Sequence, residues 1–136
     1  MYGIVFNEVG RTVVANQDEA PQVLFVEPDR AMRRWLELVL ADHAIRGTMY
    51  TIVPGATDAV EQLAAGGISH VFADDLGYDW RVVADAAKVA NVPITAFGTS
   101  AWVAQRAAEP RLRTIVLHEM GVETFVEAVK ECCAEA

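Results

Sequence analysis

The chain has 136 residues, of which 53% are apolar and 22% charged, the size and composition of one globular domain with its own core. It carries 19 acidic and 11 basic residues, a formal charge of −8, so it lacks the surplus of Lys and Arg that neutralises the phosphates of nucleic acids. No apolar run approaches the roughly 18 residues that span a membrane, and the N-terminus lacks the basic and apolar regions of an export signal. We therefore expect a cytoplasmic protein that binds neither nucleic acid nor membrane.

Two β-prone runs open the chain, at residues 2–6 and 11–15. The residues between them, Asn-Glu-Val-Gly, have the composition of a hairpin turn, and a polar stretch that contains Pro21 follows the second run. A two-stranded hairpin is only marginally stable alone, so it must lie against the main sheet, pair with another subunit or be loosely ordered. We predict a hairpin and linker over residues 1–21 and the main domain over residues 22–136.

From residue 22 onward, apolar strands alternate with amphipathic helices five times, which is typical of a parallel sheet covered by helices on both faces. The predicted strands are residues 23–26, 48–53, 69–73, 92–97 and 113–117, and the predicted helices are residues 30–43, a segment that ends at 64, 79–90, 102–108 and 123–133. The predicted helix caps are Thr57 or Asp58, Asp79, and Ser100 or Thr99. Right-handed crossovers allow few arrangements of five such units, and the flavodoxin-like strand order 2-1-3-4-5 is the commonest at this size.

Acidic side chains follow the first and third strands of this predicted sheet. Glu27 and Asp29 come after the first strand, and Asp74 and Asp75 come after the third. In the order 2-1-3-4-5 these strands are neighbours, so the four carboxylates would face one crevice at the carboxyl ends of the strands. Such a cluster of like charges usually holds a divalent cation. The alternative is that these residues only form turns and cap helices.

Residues 22–133 resemble the receiver domain of two-component response regulators, which has the CheY-like fold. The motifs that carry the resemblance are VLFVEPD at 23–29, VFAD at 71–74, PITAF at 93–97 and IVLH at 115–118. The resemblance implies that Asp74 is the phosphoacceptor equivalent, with Asp75 as the second choice, because a register shifted by one would leave Asp74 as an unpaired charge inside the strand. It also implies a magnesium site made of Glu27, Asp29 and Asp74, and a signalling protein, a histidine kinase or an output domain, as the partner.

The chain departs from the receiver pattern where receivers bind metal and phosphoryl oxygen. Receivers hold magnesium directly with the middle acid of the cluster after the first strand, and here that residue is Pro28, which has no carboxylate. The hydroxyl residue that ends the fourth strand is replaced by Gly98, and Thr99 comes one place too late. The resemblance therefore implies a weakened metal and phosphoryl site.

The end of the fifth strand departs from the pattern as well. His118 stands in place of the lysine that neutralises the phosphoryl group, Glu119 in place of the following proline, and Ile115 in place of the aromatic residue that rotates as the output switch. A neutral imidazole cannot supply the fixed positive charge of a lysine. Phosphoryl transfer depends mostly on positioning and electrostatic stabilisation. These changes should therefore together remove most of what the protein contributes to the transfer of a phosphoryl group to Asp74.

We therefore predict an atypical receiver-like signalling domain that works without phosphorylation, needs no cofactor, acts through protein contacts and is not an enzyme. The first alternative is a working receiver of a phosphorelay, in which Glu27, Asp29 and Asp74 hold Mg²⁺ and Asp74 accepts phosphate. The second is a small-molecule or flavin-type binding domain on the same flavodoxin-like scaffold, since fold does not dictate function. Residues 54–57, which precede a helix, are a weak signal for an anion site.

A homodimer is predicted from the charges on the last helix and on the elements before it. The surface that would pair contains Trp102, Arg106, Arg111 and Arg113. Its arginines would meet Glu123, Glu127 and Glu131 of a two-fold mate. The N-terminal hairpin offers a rival interface, because an exposed strand edge invites pairing between chains.

Overall fold

A computed structural model describes residues 2–6, 12–16, 22–42, 49–109, 112–116 and 121–135. Its strands are β1 (Tyr2–Phe6), β2 (Thr12–Asn16), β3 (Gln22–Val26), β4 (Met49–Val53), β5 (His70–Ala73), β6 (Ile94–Gly98) and β7 (Arg113–Val116). Its α-helices are α1 (Arg30–Asp42), α2 (Ala56–Ala65), α3 (Trp80–Val89), α4 (Ser100–Ala107) and α5 (Val122–Glu135), and a 3-10 turn spans Gly77–Asp79. The predicted alternation of strand and helix is confirmed.

Five of the strands form one parallel sheet in the order β4-β3-β5-β6-β7. Numbered within the main domain, this is the predicted flavodoxin-like order 2-1-3-4-5. Val26 pairs with Ala73 at the ends of β3 and β5, so the loops after these two strands leave the sheet side by side. The first two strands pair antiparallel as a separate sheet, which confirms the predicted hairpin with its second strand one residue later than predicted.

The core lies on both faces of the sheet because side chains alternate along each strand. Phe25 and Phe72 stack with ring centroids 4.9 Å apart on the face covered by α1 and α5. Leu24 and Val71 lie on the face covered by α2, α3 and α4. Each such buried side chain contributes about 1.5 to 3 kcal/mol to stability relative to an exposed one. Apolar packing on the two faces of the sheet therefore stabilises the fold.

The helix starts show where local sequence reasoning was right and where it was wrong. Thr99 caps α4, since its side chain accepts a hydrogen bond from Trp102 N. The predicted cap of α2 by Thr57 or Asp58 is wrong, because the extended Gly55 (φ −168°) precedes the first helical residue and the helix starts earlier. Asp79 stands at the N-cap of α3 without a side-chain cap bond, because it ends the 3-10 turn in a helical conformation (φ −75°, ψ −10°).

The predicted element ends at His43, Thr48 and Leu117 fall outside the described residues. Among the helices that the structure describes, none combines the length and the apolar character needed to cross a membrane.

Candidate functional site

The carboxyl ends of β3 and β5 place Glu27 and Asp74 next to each other. Glu27 N donates to Val53 O at 2.9 Å, and Asp74 N donates to Val26 O at 3.0 Å. These bonds extend the ladders of the sheet by one residue and hold both backbones in place. Glu27 is 1% exposed although it is acidic, whereas Asp74 is half-buried.

Glu27 is a buried acid that pairs with Asp74. Burial, followed by the hydrogen bond and the negative charge of Asp74, raises the pKa of Glu27 from 4.5 to about 9. Glu27 is therefore protonated at neutral pH. None of the described N–H or hydroxyl groups donates to Glu27 Oε1, whereas Oε2 accepts from Asp29 N at 3.1 Å. A proton on Glu27 lets the two acidic side chains share a hydrogen bond where two carboxylates would repel.

The other two predicted carboxylates turn back to their own loops. Asp29 Oδ1 accepts from Ala31 N at 3.3 Å at the start of α1, and Asp75 Oδ1 accepts from Gly77 N at 3.0 Å. Both side chains are exposed. Asp29 is close enough for its charge to add to the raised pKa of Glu27. The four predicted site carboxylates thus divide into one buried pair and two turn-forming residues.

Gly98 at the end of β6 packs against the Asp74 side chain. Its φ of +133° lies in a region that L side chains rarely adopt, and a Cβ on it would meet Asp74 Oδ1. The space that a side chain at position 98 would need is therefore filled by the carboxylate itself. The hydroxyl of Thr99, the next residue, is bonded to Trp102 N at the start of α4 instead.

Sequence reasoning missed Arg33, which lies one turn into α1. Its Nη1 donates to Glu27 O and to Pro28 O, each at 2.9 Å. Arg33 therefore brings a guanidinium to the loop after β3 and engages two of its carbonyl oxygens. Its position six residues after Glu27, at the first turn of a predicted helix, was the only sequence signal for this contact.

The donor set for magnesium is poor. Within the described residues, no three His, Cys, Asp or Glu side chains are placed to hold a metal ion. Asp29 and Asp75 turn back to their own loops, and the carbonyl of Pro28 already accepts from Arg33. The residues present therefore do not fit the hard, oxygen-rich site that Mg²⁺ requires. His118, the residue at the lysine position, lies outside the described residues.

Trp80 does not line the acidic loops but belongs to the core, where it packs edge-on against Trp102 with ring centroids 5.5 Å apart. Arg106 lies over both rings, 4.8 Å from the centroid of Trp102 and 5.5 Å from that of Trp80. Its guanidinium also pairs with Glu109 at 3.3 Å, and Trp80 Nε1 donates to Glu109 Oε1 at 3.4 Å. This Trp-Arg cluster (Trp80, Trp102, Arg106 and Glu109) joins α3 to α4.

The weak anion signal at residues 54–57 does not gain support from its surroundings. These residues line a cleft of about 730 Å³ between the start of α2 and the start of α3. The cleft also exposes the carboxylates of Asp58, Glu61 and Asp79. Three carboxylates would repel the phosphate of a flavin or nucleotide.

No protein-family model and no curated protein matches the chain. Solved structures do match. The signal receiver domain of an HD domain-containing protein from Pseudomonas fluorescens Pf-5 aligns with a TM-score of 0.70 and 14% identity, over 89% of this chain and 92% of that one. The receiver domain of the sensor histidine kinase PA1611 from Pseudomonas aeruginosa PAO1, described with magnesium in its active-site cleft, aligns with a TM-score of 0.68 and 15% identity, over 85% and 98%. A redox sensor of the streptococci, from a family evolved from response regulators, aligns with a TM-score of 0.68 and 11% identity, over 85% of this chain and 52% of that one.

Proposed function

We propose that this chain, which has the fold of response-regulator receiver domains, is a receiver-like signalling domain that works without phosphorylation and through contacts with other proteins. The observation that supports this proposal is the set of groups around the Asp74 carboxylate. Its carboxylate is hydrogen-bonded to the protonated Glu27, accepts from Asp75 N at 2.6 Å and lies against Gly98.

Phosphoryl transfer to a carboxylate requires positive charge and hydrogen-bond donors around the transferred oxygens. At the end of β5, Asp74 instead meets a second acidic side chain, and the neighbouring strand ends in a glycine without a hydroxyl group. Pro28 offers no carboxylate to hold the cation that would bridge the phosphate. These features support a domain whose signalling state does not depend on a phosphorylated Asp74.

The remaining elements of the proposal concern context. We propose that residues 1–21 form an extension to a receiver-like domain over residues 22–136, that the domain is a cytoplasmic non-enzymatic module, and that its partner is an output domain or a histidine kinase. A homodimer stays a prediction. Of its proposed face, Trp102 is buried and Arg106 is bound within the Trp-Arg cluster, while Glu123, Glu127 and Glu131 are exposed.

Treatment with acetyl phosphate, with and without Mg²⁺, followed by intact-mass spectrometry tests the proposal. We expect no gain of a phosphoryl group, because none of the described Lys and Arg side chains forms an ion pair with Asp74 to offset the charge that would build up there. Asp74→Asn and Asp75→Asn form a matched pair of controls, since the two carboxylates are adjacent and only the first contacts Glu27. A magnesium-dependent mass gain that disappears in Asp74→Asn and persists in Asp75→Asn would establish the working-receiver alternative.

A further inference from the structure

The solvent side of α3 and of the 3-10 turn before it carries a line of exposed apolar side chains. Val82 and Val89, seven residues apart, lie on one side of α3, and Tyr78 is exposed in the 3-10 turn before it. The opposite side of α3 buries Trp80, Val83 and Ala87 in the core. Single exposed apolar residues are common, but several in line on the outer side of one helix indicate a contact surface.

The line continues into the cleft between α2 and α3. Val82 belongs to both, and the cleft adds the apolar side chains of Pro54 and Val60. Its charged lining residues are all acidic: Asp58, Glu61 and Asp79. We call the cleft together with Tyr78, Val82 and Val89 the α2–α3 surface. It is an apolar track bordered by two carboxylates of α2 and by one at the start of α3.

We infer that the α2–α3 surface docks a basic amphipathic helix of a partner protein. This inference rests on the proposed function, because it names the surface through which a domain without a phosphorylation switch would make its contacts. The twelve residues from Tyr78 to Val89 cover about 16 Å, a length that matches three turns of a partner helix with apolar anchors on one side. Lys and Arg beside those anchors would meet the carboxylates of the cleft.

Charge also argues against a second copy of this chain as the occupant. Two α2–α3 surfaces placed face to face would bring two sets of carboxylates together, and like charges that face each other across an interface weaken association. Two cations lie on α3, but Arg81 pairs with Glu109 at 3.7 Å, and Lys88 is in the last turn of the helix, at the far end from the cleft carboxylates. A basic segment of a different protein fits both the apolar track and its border.

The test uses the full chain labelled with ¹⁵N and two synthetic helical peptides. Both carry leucines at a spacing of three and four residues, one with lysines between them and the other with glutamates. We expect the lysine peptide to shift amide signals within residues 54–61 and 78–89, and the glutamate peptide to leave them unchanged. Val82→Asp should weaken the binding of the lysine peptide about tenfold or more, because the leucines of the peptide would cover an unpaired carboxylate at the centre of the apolar track.

Leu38→Asp is the matched control. Leu38 is 51% exposed and Val82 is 50% exposed, but Leu38 lies on α1, which covers the other face of the sheet. The control variant should bind the lysine peptide like the wild type. Circular dichroism of both variants should match that of the wild type, since both positions are half exposed.

Three results would overturn the inference: equal binding of both peptides, shifts confined to other elements, or equal loss in Leu38→Asp. Sedimentation that shows a dimer lost in Val82→Asp would assign the surface to self-association instead. Amide shifts at residues 2–16 in Val82→Asp would assign it to the chain's own N-terminal hairpin. These outcomes are separate from the proposed function, because phosphorylation of Asp74 would refute that proposal and leave the peptide result standing.

Discussion

The free energy of unfolding depends on pH through the buried acid Glu27. Its pKa is 4.5 in an unfolded chain and about 9 in the folded one. Below the lower pKa the folded and the unfolded chain both hold the proton on Glu27, and the contribution of Glu27 to stability is fully present. As the pH rises toward about 9, the unfolded state releases the proton and the folded state keeps it, so the free energy of unfolding falls. Above about 9 both states are ionised, and the stabilisation is lost.

We predict that Glu27→Gln removes this part of the pH dependence. The amide does not ionise and can still donate a hydrogen bond to Asp74, so the variant should be about 1 to 3 kcal/mol more stable than the wild type near pH 8. Urea unfolding between pH 5 and 9 measures the effect. Glu131→Gln, at an exposed position on α5, should retain the wild-type slope. An unchanged slope in Glu27→Gln would mean that Glu27 is ionised in the folded state.

Gly98 gives a second test at the same site. Gly98→Ala should lower the free energy of unfolding by about 1 to 3 kcal/mol, because alanine disfavours the positive φ and its Cβ displaces the Asp74 carboxylate. Gly55→Ala is the matched control, since Gly55 has an extended backbone and nothing lies within 4 Å of its added Cβ. We expect it to cost less than about 1 kcal/mol. Equal losses in the two variants would contradict the packing of Asp74 on Gly98.

At the scale of elements, the Trp-Arg cluster ties α4 to α3. The Arg106 guanidinium contacts two indole rings and one carboxylate, and its side chain is 21% exposed. Such a partly desolvated contact contributes more than an ion pair on an open surface. The mutual position of α3 and α4 therefore depends on a single side chain in addition to apolar packing.

We predict that Arg106→Met lowers the free energy of unfolding by about 1 to 2 kcal/mol and shifts the tryptophan emission, because the guanidinium leaves both rings. The matched control is Arg34→Met on α1, whose guanidinium pairs with Glu37 at 3.2 Å but is 70% exposed. That change should cost less than about 0.5 kcal/mol. If both variants lose the same stability, the indole contacts of Arg106 contribute nothing measurable.

The strands were predictable because each is a short apolar run with a turn signal at its end. Residues 23–26 and 71–73 are apolar without interruption, as strands buried on both faces must be. The start of α2 was not predictable from its polar residues, because the conformation of Gly55 decides it. The 3-10 turn before α3 was missed for a related reason: one turn of helix has too few residues to show a period.

For the whole molecule, the sequence predicted the sheet order and the meeting of Glu27 with Asp74, but not how the site is built. Sheet order follows from the alternation of elements and the handedness of their crossovers. The divergence of Asp29 and Asp75, and the contact of Arg33 with two carbonyl oxygens, depend on loop dihedral angles that no local pattern encodes. The fold and the site are carried by different residues, since the core lies inside the strands and the site residues follow their ends. The receiver fold therefore does not by itself determine the chemistry of the site.

The packing of Asp74 on Gly98 has a consequence for anyone who wishes to introduce the usual receiver residues at positions 28 and 98. The replacements cannot be made one at a time in any order. A serine placed at position 98 meets the Asp74 carboxylate before it can offer its hydroxyl to a phosphate, and it must adopt a backbone conformation that suits glycine. An acid placed at position 28 adds a third acidic side chain, and a second negative charge, beside a pair that already shares one proton. Glu27 would have to be changed first, so that Asp74 is free to move, and only then could a side chain at position 98 be accommodated.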